Sequence, residues 1–467
     1  MNTSDAYPLL TRSLRWLVII AAVAYAPALA FYYVGEEAIF PISALEMWQN
    51  GDWVRQHMYG GNLQHNPFYT WLIIPFASLV GWPFMLPVAR AITIGATLAT
   101  AAILGWLALR LLRDRGLAWF AALVYLTMAD VALYRGWLAY VDPLFAMFIF
   151  AAIAALWIAC AEDRPALLAA AVLALTCAFM SKAFTAYVFY VSAVFVLLFT
   201  SSGRRLLLGR FSIAMHVAAL MAPLAWLHWV PANSGQGPRM LAEVVAKLMP
   251  ESGAVYLRQL IGFPAESILR MLPALPLAIF YAWRRRIALT AEPVLALALA
   301  MALLCYLPYW LAPTSGIRYL LPIYPLFALA AAVVLWRSGE AVIGKVRRWL
   351  VGMLVFKVIF LAFLFPYYQH DYRGENYAQA AREIITLTAG HPLYVNDVSA
   401  SGMSVAGYID SSIYPALALK RAPTEWESGF VIAYEEDPRL GRTFKHYKLA
   451  ANSLYLLCRG AACAAAQ

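Results

Sequence analysis

The chain has 467 residues, 63% of them hydrophobic and only 13% charged, with 16 Trp and 27 Tyr. That composition excludes disorder and is far too apolar for a soluble domain of this size, which leaves a polytopic membrane protein. The formal net charge of +10 does not point to nucleic acid, because the basic residues are dispersed between apolar segments and form no basic face.

The first segment carries Arg12 and Arg15 ahead of an apolar run from Leu17, and Ala28 and Ala30 imitate the spacing of an export-signal cleavage site. The apolar stretch continues to Tyr33, about the length of a full crossing, and reads as a retained first helix. With 14–34, windows able to cross roughly 30 Å of hydrocarbon fall at 72–109, 117–134, 141–160, 166–181, 183–200, 211–230, 267–283, 293–311, 317–336 and 349–366, about eleven helices in all. The 72–109 window is too long for one crossing. Its Pro75, Gly81, Pro83 and Pro87 predict a short interfacial helix ahead of the span proper.

Arginine-rich connections mark the cytoplasmic side: Arg12 and Arg15; Arg110, Arg113 and Arg115; Arg204, Arg205 and Arg210; Arg284, Arg285 and Arg286; Arg337, Lys345, Arg347 and Arg348. They fall on alternate connections. The others, around 35–71, 135–140, 181–183, 231–266 and 312–316, are thereby expected on the outer side, with everything after about Tyr367. In 231–266, Arg239, Glu243, Lys247 and Arg258 alternate with apolar residues, as in a helix lying on the membrane or a packed connector.

The expected organisation is a transmembrane domain over 1–366 with outer loops 35–71 and 231–266, then a small C-terminal α/β domain over 367–467. Tyr367, Tyr368 and Tyr372 read as an interfacial belt leading into it. An amphipathic helix carrying Tyr377, Ala381, Ile384 and Ile385 follows, and PLYVND, FVIAYEED and SLYLLC alternate as strands do. No internal repeat relates the spans, which weighs against transporters built from two related halves. Cys160, Cys177 and Cys305 lie in apolar segments as small buried hydrophobes. Cys458 and Cys463 are either two thiols near a tail or a disulfide in an oxidising compartment.

An acidic or basic residue at the centre of a span costs about 2.5–3.5 kcal/mol on insertion scales, so charges at span ends are candidate sites. The outer side collects Glu36 and Glu37 after the first helix, Arg135 and Asp142 around the turn into the fourth, Lys182 between the fifth and sixth, and Arg318 opening the tenth. Lys182 and Arg318 break the positive-inside bias and call for a negative partner: a protein carboxylate or lipid headgroup on one reading, a substrate phosphate on the other. Asp142, ahead of Pro143, either caps its helix, orients an attacking hydroxyl, or holds a cation together with Glu36. Glu37 reads as a solvated loop carboxylate or a substrate contact. Tyr59, His65 and Asn66 are the further substrate-contact candidates, although His57 and His65 lack metal-ligand spacing and also read as surface histidines. There is no Walker loop, nucleotide-binding glycine pattern or Ser/His/Asp spacing.

The stretch GEEAIFPISALEMWQNGDWVRQHMYGGNLQHNPFYTW contains Glu36-Glu37, Gly51-Asp52-Trp53 and Asn66-Pro67-Phe68 in order. It resembles the first outer loop of GT-C membrane glycosyltransferases, in the branch of bacterial aminoarabinose transferases of lipid A and protein O-mannosyltransferases. Arg135 with Asp142, Ser181-Lys182, and RYLLPIYPLFAL from Arg318 resemble later motifs of that branch in the right order; the likeness covers about 1–366. Two positions depart from it. Glu36 stands where the family has Asp, which moves the carboxylate by about one methylene. Asn66 replaces a Lys that meets the donor phosphate, which shifts that task to Lys182, Arg318 and Arg135.

The resemblance implies an all-α, GT-C-like polytopic fold in a bacterial inner membrane, with the N-terminus cytoplasmic and the C-terminal domain periplasmic. It implies an inverting transfer of a sugar from a polyprenyl-phosphate (undecaprenyl-phosphate) donor to a lipid A, glycan or protein acceptor. Glu36 and Asp142 would be catalytic, with Glu36 the base; Lys182, Arg318 and Arg135 would bind donor phosphate; Glu37, Tyr59, His65 and Asn66 would touch substrate. No cofactor is required on this reading, a divalent cation is left open, no metal ligand is assigned, and the expected state is a monomer among membrane lipids without nucleic acid. An O-antigen ligase or polymerase would instead use Arg and His of a large outer loop on a diphosphate-linked glycan, and the acidic pair speaks against it. A lipid-linked sugar flippase would string charges through the bilayer rather than collect them at one face.

Overall fold

The computed structural model describes residues 8–63, 65–230, 252–288, 290, 292–449 and 452–464. Among them, seven helices are long and apolar enough to cross a membrane, or nine if two sharply bent pairs each count as one span. The sequence windows land on apolar helices, but the expected eleven crossings are not all of crossing length. Arg115–Leu126 has 12 residues and Ala166–Ser181 has 16, about 18 and 24 Å of helix against a hydrocarbon core of roughly 30 Å. The chain divides into two compact units, one of 1–25, 93–137 and 141–359, the other of 26–92, 138–140 and 360–467. The tail expected to start at 367 therefore shares a unit with the first outer loop.

In the first unit, Val141–Glu162 and Ile317–Arg337 are buried over 78% and 89% of their apolar windows. Helices apolar on every side can be surrounded by others in this way. Arg210–Trp229 is buried over only 17% of its window and keeps its apolar surface outward, as a lipid-facing helix would. Gly116 is needed where Arg115–Leu126 meets Trp336, whose ring lies 2.7 Å from the place of a Cβ. Asp114 caps that helix by accepting the Leu117 N–H at 3.0 Å. Thr200 likewise accepts the Gly203 N–H and starts Ser201–Leu207 at 120° to Thr185–Leu198. Gly253–Arg270, which carries Arg258, meets Ala274–Arg285 at 102°. Arg239, Glu243 and Lys247 lie outside the described residues.

In the second unit the 72–109 window breaks at Gly81 and Pro83, where a 3-10 turn at Trp82–Phe84 separates the short helix Phe68–Val80 from the long helix from Met85, while Pro75 and Pro87 lie within those helices and do not interrupt them. Ile39–Asn50 ends at Gly51, whose φ of 66° suits a left-handed cap. Strands β1 (His57–Met58) and β2 (Gly61–Asn62) pair as a hairpin. The tail sheet comprises β3 (Leu393–Val395), β4 (Gly429–Ala433), β5 (Arg442–Leu449) and β6 (Asn452–Arg459), ordered β3-β4-β6-β5. β3 and β4 are parallel and the other pairs antiparallel, so a crossover must join β3 to β4. The Ala400–Ile413 helix lies in that crossover; it and β5 were not among the predicted elements. Every residue of β4 is buried, and Val431, Ala433 and Leu457 form a core against Tyr394, Trp426 and Tyr455. The predicted amphipathic helix is Glu375–Leu387, with Tyr377, Ala381 and Ile384 inward. Cys458 and Cys463 form a disulfide.

Candidate active site

Within the first unit, Lys182 follows the C-terminal end of Ala166–Ser181, its N–H bonded to the Ala178 and Phe179 carbonyls, where helix ends favour cations. Its ammonium pairs with Asp142, in the first turn of Val141–Glu162. The same Nζ lies 4.9 Å from the Tyr319 ring centre and 5.6 Å from that of Phe145. Arg318 covers Tyr319 at 5.1 Å and donates from Nη2 to its Oη at 3.1 Å. Arg135 and Arg318 are also within electrostatic reach of the Asp142 carboxylate. The expected cations thus gather around one aspartate and one tyrosine ring.

Beside Arg135 is a carboxylate that the sequence reading missed. Asp130, 5% exposed, accepts from Arg270 Nη1 at 2.8 Å and from Tyr324 Oη at 3.0 Å, and lies 3.6 Å from Arg135 Nε. Arg270 also pairs with Glu266 at 2.7 Å. A buried carboxylate holding two guanidiniums fixes where their remaining N–H groups point. The signal was present in the sequence, since Asp130 falls inside an apolar window.

Within the second unit, Glu36 and Glu37 have opposite fates. Glu36 is exposed, and its carboxylate has no hydrogen-bond or ion-pair partner among the described residues. Its N–H donates to Tyr140 Oη at 3.0 Å. Gly35, at φ 59°, permits that approach, because a Cβ there would stand 2.6 Å from the Tyr140 oxygen. Glu37 is fully buried against Arg90 and also accepts from the Val34 and Ala139 N–H groups at 2.8 and 2.6 Å. Glu37 is therefore not the solvated loop carboxylate of one expectation: Arg90 and two backbone N–H groups occupy its oxygens.

The rest of the first loop is also organised around carboxylates. Glu46 accepts the Tyr59 and Gly60 N–H groups at 2.5 and 3.0 Å and so holds the hairpin turn. Asp52 accepts from Val54 N–H at 3.0 Å, Arg55 N–H at 3.1 Å, Arg55 Nε at 2.7 Å and His57 Nε2 at 3.1 Å. Burial pushes the Asp52 carboxyl up, but the Arg55 N–H, the His57 ring, the Val54 N–H and the Arg55 side chain together hold it below the usual range. Tyr59 and Asn66 are buried, at 1% and 0% exposed, and the Tyr59 hydroxyl has no hydrogen-bond partner among the described residues. His65 is exposed, with its ring 6.4 Å from Phe40. Among the described residues no group of three or more His, Cys, Asp or Glu side chains is placed to hold a metal ion.

No protein-family model matches the sequence. The structure is similar to that of ArnT from Cupriavidus metallidurans bound to undecaprenyl phosphate, over 96% of this chain and 98% of that one, with a TM-score of 0.72. The chain has the GT-C fold. Identity to that structure is 16%, so the likeness is one of architecture. ArnT from the same organism in the apo state gives 16% identity and a TM-score of 0.68, over 97% of this chain and 99% of that one. The Archaeoglobus fulgidus oligosaccharyltransferase, in complex with zinc and sulfate, gives 13% identity and a TM-score of 0.51, over 85% of this chain and 61% of that one. The GT-C fold meets the expectation of a polytopic helical protein with a small C-terminal sheet region.

Proposed function

We propose that the chain is a glycosyltransferase that moves a sugar from a polyprenyl monophosphate to an acceptor hydroxyl at the periplasmic face of a bacterial inner membrane. One observation carries this reading: Lys182, Arg135 and Arg318 gather around Asp142 in a protein with the GT-C fold. The ArnT structure of that fold was determined with undecaprenyl phosphate. Lipid A, another glycan or a protein supplies the acceptor, the N-terminus is cytoplasmic, and the tail unit is periplasmic.

In the proposed reaction the acceptor oxygen attacks the anomeric carbon while the bond from that carbon to the phosphate oxygen breaks. The hydroxyl proton passes to Glu36, a role supported by the resemblance of the first loop and by a carboxylate without a partner among the described residues. Polyprenyl phosphate leaves with both bonding electrons, and Lys182, Arg318 and Arg135 stabilise its charge. Asp142 holds the Lys182 ammonium in place and orients the hydroxyl. One displacement inverts the anomeric centre and needs no covalent enzyme intermediate.

The test is turnover of a polyprenyl-linked sugar by the reconstituted chain. Glu36→Gln is expected to lose about 10²- to 10⁴-fold in rate, and turnover near that of the unmodified chain removes Glu36 as the base. Lys182→Ala is expected to raise the donor KM more than the acceptor KM. Unchanged donor kinetics would remove the phosphate contact.

A further inference from the structure

Two adjoining cavities of about 330 and 480 Å³ lie along Ala274–Arg285 and Glu340–Ile359, both in the first unit. Leu277, Tyr281, Lys345, Arg348 and Trp349 line the smaller. The larger shares Arg348 and Trp349 with it and continues past Gly352 to Leu272, Met353 and Phe356. We infer that this is a groove for an anionic glycerophospholipid, with the headgroup phosphate at Lys345 and Arg348 and one acyl chain running toward Phe356.

Charge, polarity and length each support that occupant. Among the described residues, no carboxylate lines either cavity. Lys345 and Arg348 are exposed and make no ion pair or hydrogen bond among the described residues, so a phosphate would meet uncompensated charge. Arg284 and Arg285 end the facing helix and add to the same field. From Lys345 to Phe356 the helix rises roughly 16 Å, about half of a 30 Å hydrocarbon core and thus the depth of one leaflet. Polarity falls along that line from two cations, through Tyr281 and the 63%-exposed Trp349, to aliphatic and aromatic side chains. Trp and Tyr favour this headgroup level. The space over Gly352 is open, since a Cβ there would meet nothing within 4 Å, and a larger side chain at that position would project into it.

The groove follows the sharp bend after Arg270, which turns Ala274–Arg285 away from the preceding helix. Its basic end coincides with the arginine-rich connections, and so belongs to the cytoplasmic leaflet on the positive-inside bias. The inference does not depend on the chemistry proposed above. An inactive protein could still bind the lipid, and an active one could fail to.

The test is native mass spectrometry of the full chain in detergent, titrated with phosphatidylglycerol or phosphatidylcholine of identical acyl chains. The unmodified chain is expected to retain the anionic lipid on the order of tenfold better than the zwitterionic one, as two basic residues near a headgroup would give. The double variant K345Q/R348Q is expected to lose that preference, and Gly352→Leu to lower retention of both lipids by filling the passage. Both changes sit at exposed or open positions, and an unchanged thermal unfolding curve verifies the fold. Equal retention of the two lipids by the unmodified chain, or an undiminished preference in the double variant, overturns the inference. Undiminished retention in Gly352→Leu overturns the acyl-chain placement.

Discussion

Arg90 donates from Nε at 2.9 Å and from Nη2 at 2.5 Å to the two carboxylate oxygens of Glu37, and neither side chain is exposed. The other guanidinium donors reach the Ala28, Phe31 and Tyr32 carbonyls at 3.0, 2.5 and 2.7 Å. These carbonyls lie in and just after the 3-10 turn Ala26–Ala30 that follows the first helix. The pair therefore ties the residues before Glu36 to the start of the long helix from Met85.

Removing one member of a buried pair strands the other charge, at a cost of about 3–5 kcal/mol. Arg90→Met and Glu37→Gln are each expected to lower the unfolding temperature in detergent, on the order of 10 °C for a unit of this size. Glu36→Gln, at an exposed position, should leave it unmoved. Circular dichroism melts of the three variants check the contrast.

Asp410, in the second unit, is fully buried, and its Oδ1 accepts the Leu419 N–H at 2.7 Å while Oδ2 has no hydrogen-bond partner among the described residues. Burial pushes its carboxyl well above the ordinary range; the Leu419 N–H opposes that shift, and the charge of Glu46 adds to it. The folded state thus holds this proton more tightly than the unfolded chain, whose aspartates release theirs near pH about 3.9. Stability from this group is present below that pH and declines as pH rises toward the folded value. Asp410→Asn should flatten the decline and raise the unfolding temperature more at pH 8 than at pH 5. Equal gains at both values would count against a raised carboxyl.

The Cys458–Cys463 disulfide ties β6 to the short turn Gly460–Cys463. Closing so short a loop contributes about 2 kcal/mol in the chain-entropy account. Cys463→Ser should weaken the tail sheet by that order, seen as faster amide exchange across β4 and β6, which pair along their length. In intact cells both cysteines should resist alkylation until a reductant is added. Alkylation without reductant would count against a periplasmic tail.

Much of the candidate site was legible as residues but not as partnerships. Lys182 and Arg318 stood out because they break the positive-inside bias, and Asp142 because it is an acid at the start of an apolar helix. Asp130 and Arg90 carried the same signal inside apolar windows. Their partners lie far along the chain: Glu37 is 53 residues from Arg90, while Arg270 and Tyr324 are 140 and 194 residues from Asp130. No local pattern announces such pairs. The Ala400–Ile413 helix escaped for a different reason, since its Ser- and Gly-rich sequence shows a weak apolar stripe and its burial is set by neighbours.

Composition and apolar run length alone determined that this protein lives in a membrane, where most of its apolar helices lie, and that the second window holds a short helix ahead of a long one. Hydrocarbon offers the backbone no hydrogen bonds, so long apolar segments have few alternatives to the helix. Only the tertiary structure decided that Glu37 is spent on Arg90 while Glu36 is exposed, and that Lys182 meets Asp142 over the Tyr319 ring. Adjacent residues with the same charge are equivalent in a one-dimensional reading. Burial and partners distinguish them, and both arise when distant segments pack.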